Sequence, residues 1–295
     1  MSSSERREAL IVYWRNHHYG GGMTMTTAAK PLTTGAVIRW SELNWEDRGQ
    51  LLVAIPVSEE KGAALVKGLV VRIKPGGVWS SCEKGKAQEV VGVIWKGQGS
   101  ARVGDETSDL EPSSALYAPS GADYEVKADK GEEITLYIWQ SVLPEGSPVA
   151  SKPRLFNHLY NDETQLKGFT GNDPSQTITN PANMNFLFWP GTGSARLSLH
   201  CGIQEPGQSF AVHQHPHSSE LFIGVEGRGE IHLNGEWHPF EAGDLLYVPQ
   251  GIFHGTRNLY TGEGAARFVT TGGPTPFDAS FYTFAGVSPE VVDPA

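Results

Sequence analysis

The chain has 295 residues, 19% of them charged and 39% hydrophobic, and a formal net charge of −10. That acidity excludes a broad phosphate-binding surface, so nucleic acid is not an expected partner. No run approaches the roughly 18 uninterrupted apolar residues of a membrane span. The two distant cysteines, Cys82 and Cys201, make no disulfide framework and point to a reducing, cytoplasmic setting.

With 35 glycines and 19 prolines, the composition suits short strands and many turns, so the expected class is all-β. Residues 1–34 read as a flexible tail: they are polar, carry a Gly20-Gly21-Gly22 run and lack the apolar stretch of a secretory signal. A first module is expected over 35–142, with strands at 89–95, 115–118 and 134–139. Residues 143–184 are punctuated by prolines but also carry Phe156, Tyr160 and Phe169, which suits an ordered connector better than a bare linker. A second module is expected over 185–285, with strands at 220–225, 229–233, 244–248 and 266–270, followed by a tail over 286–295. Asn234-Gly235 between alternating residues predicts a type I′ hairpin turn.

The two modules repeat one another. Pro75-Gly76 and Pro206-Gly207 lie 131 residues apart, as do Glu89 and Glu220, and Pro119 and Pro249 lie 130 apart. Anchors that hold register over some forty residues indicate duplication of a whole domain.

The second copy places Gly207, His213, His215, Glu220 and Gly227 at fixed spacing, then Gly243, Pro249, Gly251, His254 and Asn258. These stretches resemble the paired motifs of the cupin superfamily. The resemblance implies two double-stranded β-helix (jelly-roll) barrels, a bicupin, and a homodimer. It also implies one divalent metal per chain, held in the second barrel by His213, His215, Glu220 and His254. The residue types agree. Histidines two apart on a strand face one side, and three neutral imidazoles with one carboxylate suit a borderline divalent ion. Fe(II) or Mn(II) is favoured, and Ni(II), Co(II) or Zn(II) also fits. His217 shares that strand face, but pairing it with His215 breaks the spacing from Gly207; it is read as a rim residue or an acid/base. In the first copy Cys82 and Lys84 take the histidine positions, Glu89 is retained, Tyr124 stands for His254 and Ser113 for the motif glycine. That copy is expected to bind no metal.

Arg196, Ser198 and His200 alternate on one polar face, so Arg196 is a candidate carboxylate clamp and His200 a candidate substrate contact, with Phe222 beside the ligands. Three functions are open. The first is a dioxygenase-type enzyme acting on a small oxygen-rich metabolite that chelates the metal, with Glu220 able to serve as base. The second is a redox-neutral isomerase, lyase or decarboxylase, with His217 or Tyr247 moving the proton. The third is a non-catalytic small-molecule binder.

Overall fold

A computed structural model describes residues 32–63, 66–80, 87–143, 152–160, 166–168, 180, 182–190, 194–216 and 218–273. These form strands and three single-turn 3-10 segments, with no α-helix among them. No helix among the described residues is long and apolar enough to cross a membrane.

The strands run in two sets. The first comprises β1 (Ala36–Ile38), β2 (Glu46–Asp47), β3 (Leu51–Val57), β4 (Val66–Ile73), β5 (Val78–Ser80), β6 (Gln88–Lys96), β7 (Gly99–Val103), β8 (Glu106–Leu110), β9 (Ala115–Ala118), β10 (Tyr124–Lys127) and β11 (Ile134–Val142). The second comprises β12 (Arg154–Phe156), β13 (Leu166–Gly168), β14 (Asn183–Phe188), β15 (Ser198–Gln204), β16 (Ser209–His213), β17 (Ser219–Glu226), β18 (Arg228–Leu233), β19 (Glu236–Glu241), β20 (Leu245–Val248), β21 (His254–Arg257) and β22 (Ala266–Gly273).

One barrel pairs a large sheet, β12-β9-β6-β11-β4-β3-β2, with a small one, β5-β10-β7-β8. The other pairs β1-β20-β17-β22-β15-β14-β13 with β16-β21-β18-β19. Strand for strand the two orders are the same, but the edge strands are exchanged. The first strand of each set closes the sheet of the other: Ala36 lies opposite Tyr247, and Arg154 opposite Tyr117. The span 35–142 is therefore not one self-contained module, because β1 belongs to the second barrel's sheet. Each exchanged strand covers an edge that would otherwise offer unpaired backbone groups.

The same latch holds both exchanged strands. Asp244 caps its own turn by accepting the Glu241 N–H at 3.2 Å, and it takes the Trp40 N–H at 3.1 Å and the Arg39 guanidinium at 2.6 Å. At the matching place in the first barrel, the Ser114 hydroxyl accepts the Glu111 N–H at 3.0 Å and donates to the Asn157 carbonyl at 2.8 Å. The residue before each latch is left-handed, Gly243 at φ 97° and Ser113 at φ 73°. The Asn234-Gly235 turn has positive φ at both residues, as a type I′ hairpin requires.

Alternation along these strands sorts the side chains into three cores. Val53, Trp79, Ile94, Leu116, Tyr124 and Leu136 fill the first barrel, where the Trp79 indole N–H lies 3.4 Å from the Tyr124 hydroxyl. Phe210, Phe222, Ile231, Leu246 and Phe268 line the second. Between the two large sheets lie Val91, Val93, Tyr117, Trp139, Leu199, Leu221, Leu245 and Tyr247. Each fully buried large side chain of this kind stabilises by about 1.5–3 kcal/mol.

The register overturns one sequence expectation. Val90 pairs with Ala118, just as Glu220 pairs with Val248, and both partners immediately precede a turn proline. Val90, not Glu89, is thus the structural counterpart of Glu220. Glu89 faces the other way, into the layer between the barrels. The first barrel has no carboxylate at the ligand position. Cys82 and Lys84 lie outside the described residues.

Candidate metal centre

Three of the four expected ligands lie on strands and the fourth, His215, in the irregular segment after β16. His213 ends β16, Glu220 lies on β17 and His254 opens β21. A bulge lies between Phe210 and His213: Phe210 stands opposite Thr256 and His213 opposite His254, so Ala211 and Val212 on β16 stand against Gly255 alone on β21. The extra residue turns both Phe210 and His213 inward, where simple alternation would send one of them out. His215 follows the end of β16, held by its carbonyl accepting the Gly251 N–H at 2.8 Å. That contact ties the first motif to the Pro249-Gln250-Gly251 turn of the second.

One donor atom from each of His213, His215, Glu220 and His254 falls within 4.8 Å of the others, and all four residues are buried. Nδ1 of His213 lies 2.8 Å from the Ala211 carbonyl, and Nδ1 of His254 lies 2.9 Å from the Ile252 carbonyl. A carbonyl only accepts, so each Nδ1 carries a hydrogen, which turns each Nε2 toward the centre. His254 Nε2 lies 2.9 Å from one Glu220 oxygen, and His215 Nε2 lies 3.2 Å from the other. These contacts need either a hydrogen on the ring nitrogen or a cation between the groups, and a divalent ion would take the ring lone pairs and the carboxylate together. The donor set therefore fits a divalent ion.

Protonation agrees. Burial, then the neighbouring His254 and His215, pushes His213 well below the usual imidazole range. Burial alone would raise Glu220, but His215 and His254 together hold it well below the usual carboxylate range. His213 is thus held neutral and Glu220 ionised, the forms in which these two groups bind metal.

A narrow cleft opens beside the ligands. His200, expected as a substrate contact, lies on its wall with Nε2 3.7 Å from Glu220, and burial lowers its pKa to about 4. Phe222, expected in the same role, also lines it. The structure does not bring Tyr247 here. Tyr247 stands opposite Leu221, not Glu220, and packs against Trp139 between the barrels at a centroid distance of 6.3 Å. Arg196 precedes β15 and is not among the lining residues; its backbone N–H donates to Glu89. His217 lies outside the described residues. Sequence reasoning missed Met184, Thr256 and Phe268 as lining residues. Thr256 was findable, two residues beyond His254 on the same strand face. Met184 was not, because its strand lay hidden at the end of the connector.

Residues 203–272 match the cupin domain family. The chain is 40% identical over 67 residues to polyketide synthase CurC of Streptomyces cyaneus, covering 23% of this chain and 42% of that one. It is 33% identical over 95 residues to dimethylsulfoniopropionate lyase DddW of Ruegeria pomeroyi, covering 32% of this chain and 60% of that one. The chain thus spans less than two thirds of the length of either relative. Protein Ylba of E. coli superposes with a TM-score of 0.66 at 16% identity, over 86% of this chain and 96% of that one. At that identity the likeness concerns the fold alone, and it extends across both barrels. Residues 203–272, within the second barrel, thus carry a cupin domain.

Proposed function

We propose that the second barrel holds one divalent metal ion through His213, His215, Glu220 and His254. The reaction is a redox-neutral one of the lyase or isomerase type on a small substrate that presents oxygen donors. A bound ion would supply Lewis acidity toward a substrate carbonyl. His200 supports this branch. It is a further imidazole on the cavity wall, outside the ligand set, and burial keeps it neutral. In this reading His200 takes a proton from the carbon beside that carbonyl and returns it elsewhere. The apolar walls exclude water while the proton is held. Similarity to a lyase over about a third of the chain points the same way.

The dioxygenase reading draws on the ligand set, since Fe(II) or Mn(II) with open positions suits O2. Two measurements on one preparation separate the readings. Zn(II)-loaded protein under argon should speed exchange of the pyruvate methyl protons with deuterium oxide, read by NMR, and His200→Ala should lose that acceleration while retaining its zinc. Substrate-dependent oxygen uptake confined to the Fe(II) form, with no exchange in the Zn(II) form, would overturn the proposal in favour of an oxygenase. Failure to bind any metal would leave a binding protein.

A further inference from the structure

The cleft beside the expected metal ligands has a largely apolar wall. Met184, Phe210, Phe222 and Phe268 form most of it, and the polar exceptions beyond the ligands are His200 and Thr256. The rings make a continuous surface: Phe268 lies 5.8 Å from Phe210 and 5.7 Å from Phe222 between centroids. Phe222 in turn meets the His254 ring edge-on at 5.8 Å.

No cation faces this space among the described residues. The sequence between 194 and 273 contains no lysine. Arg228, Arg257 and Arg267 are committed elsewhere, to Glu263 at 3.5 Å, to Glu230 at 2.6 Å and to Glu226. Arg196 is not part of the lining.

Charge then decides what fits. A divalent ion and the Glu220 carboxylate together leave one positive charge, with the imidazoles neutral. A monoanionic chelator brings the buried site to neutrality. A dianion leaves one excess negative charge against phenylalanine and methionine, with nothing to pair it, and unpaired buried charge is strongly unfavourable. Thr256 adds one directed contact. Its hydroxyl accepts the Gln204 amide N–H at 2.8 Å, so its own hydrogen is available to an acceptor on the ligand.

We infer that the site takes a small monoanionic bidentate chelator whose remaining substituent is short and apolar, and that it discriminates against small dicarboxylates. This rests on the metal-site reading above and adds the substrate class. Phe210, Phe222, Phe268 and Met184 receive the apolar substituent.

The test compares two probes with the same chelating head, isobutyrohydroxamate and succinomonohydroxamate, by calorimetric titration of Zn(II)-loaded protein. Zinc content is measured on the same sample. The isobutyryl probe should bind at least tenfold more tightly, and Phe222→Arg should narrow or reverse that ratio by supplying the missing cation. Equal affinity, preference for the carboxylate-tailed probe, or binding of neither to protein holding one zinc would overturn the inference while leaving the metal site intact. Absence of zinc would overturn the metal-site reading itself. Because the ratio is measured on the unmodified chain, it stands even if Phe222→Arg does not fold.

Discussion

Two residues to either side of a ligand can differ entirely in fate, and His213 shows why. Its motif spacing identified it, but its inward direction depends on the bulge between Phe210 and His213, which no residue type in 209–213 announces. The convergence of His213, His215, Glu220 and His254 was legible because their spacing is specific; Tyr247 was misread because its side depends on pairing with Leu221, a register that lies in the partner strand. Replacing His213 with Ala removes a donor from the centre, and the expected result is metal content falling from near one per chain to below a tenth, with the β-sheet circular dichroism spectrum unchanged. Full occupancy in that variant would remove His213 from the ligand set. His200 makes a second prediction at this scale. In metal-free protein it stays neutral down to about pH 4, whereas an unfolded chain protonates its imidazoles near pH 6.5. Below 6.5 the unfolded state takes up a proton that the native state refuses. Stability is therefore full above pH 6.5 and declines as pH falls toward 4, by about 3 kcal/mol for this one group. Urea midpoints in the presence of chelator at pH 7, 5.5 and 4.5 should fall, and His200→Asn should shallow the decline. An unchanged slope would mean that other buried groups carry it.

Among the elements, β6 and β20 carry the lessons. Anchors 131 residues apart made Glu89 look like a retained ligand, but a one-residue slip reverses the face of a strand, and only the pairing of Val90 with Ala118 reveals it. In its actual place Glu89 is fully buried and accepts N–H bonds from Ala195 at 2.6 Å, Arg196 at 2.7 Å and Leu197 at 3.0 Å, with the Tyr117 hydroxyl at 2.5 Å. Burial pushes its pKa up, and these hydrogen bonds oppose the shift. The carboxylate from the first barrel thus holds the chain that enters β15, the strand bearing His200. Glu89→Ala strands three backbone donors in an apolar layer, at a cost of roughly 1–3 kcal/mol each, so the urea midpoint should drop sharply, whereas a surface variant such as Glu106→Ala should leave it unchanged. A midpoint within error of the parent would show that water replaces the carboxylate. At β20 the latch is Asp244. Asp244→Ala removes the Trp40 and Arg39 contacts, so amide exchange should quicken at 36–38 while β12, held by Ser114, keeps its protection. Equal protection at 36–38 in parent and variant would show that strand pairing alone secures β1.

The whole molecule differs from two beads on a string, and the reason lies in what the sequence cannot display. Strand content, duplication and the barrel class were legible from turn residues, alternation and repeated anchors. The exchange of edge strands was not, because Ala36–Ile38 and Arg154–Phe156 are three residues each, too short for periodicity to assign a partner. The layer between the large sheets was equally hidden: Val91, Trp139 and Leu221 are ordinary apolar strand residues, and nothing in their order says that the core they join spans both barrels. That architecture makes a prediction about dissection. Produced together as residues 1–150 and 151–295, the halves should co-purify as a one-to-one complex, because β1 completes the second barrel and β12 the first. Both halves also bury apolar faces of the shared layer. Produced alone, the second half keeps every expected ligand yet lacks β1 and exposes Leu221, Leu245 and Tyr247. It should aggregate or elute as a loosely folded species, and adding the first half should restore zinc binding. A folded, monomeric, zinc-binding second half on size exclusion would overturn this account. It would show that the exchanged strand and the shared layer are dispensable, and that the first barrel is not required to build the centre in the second.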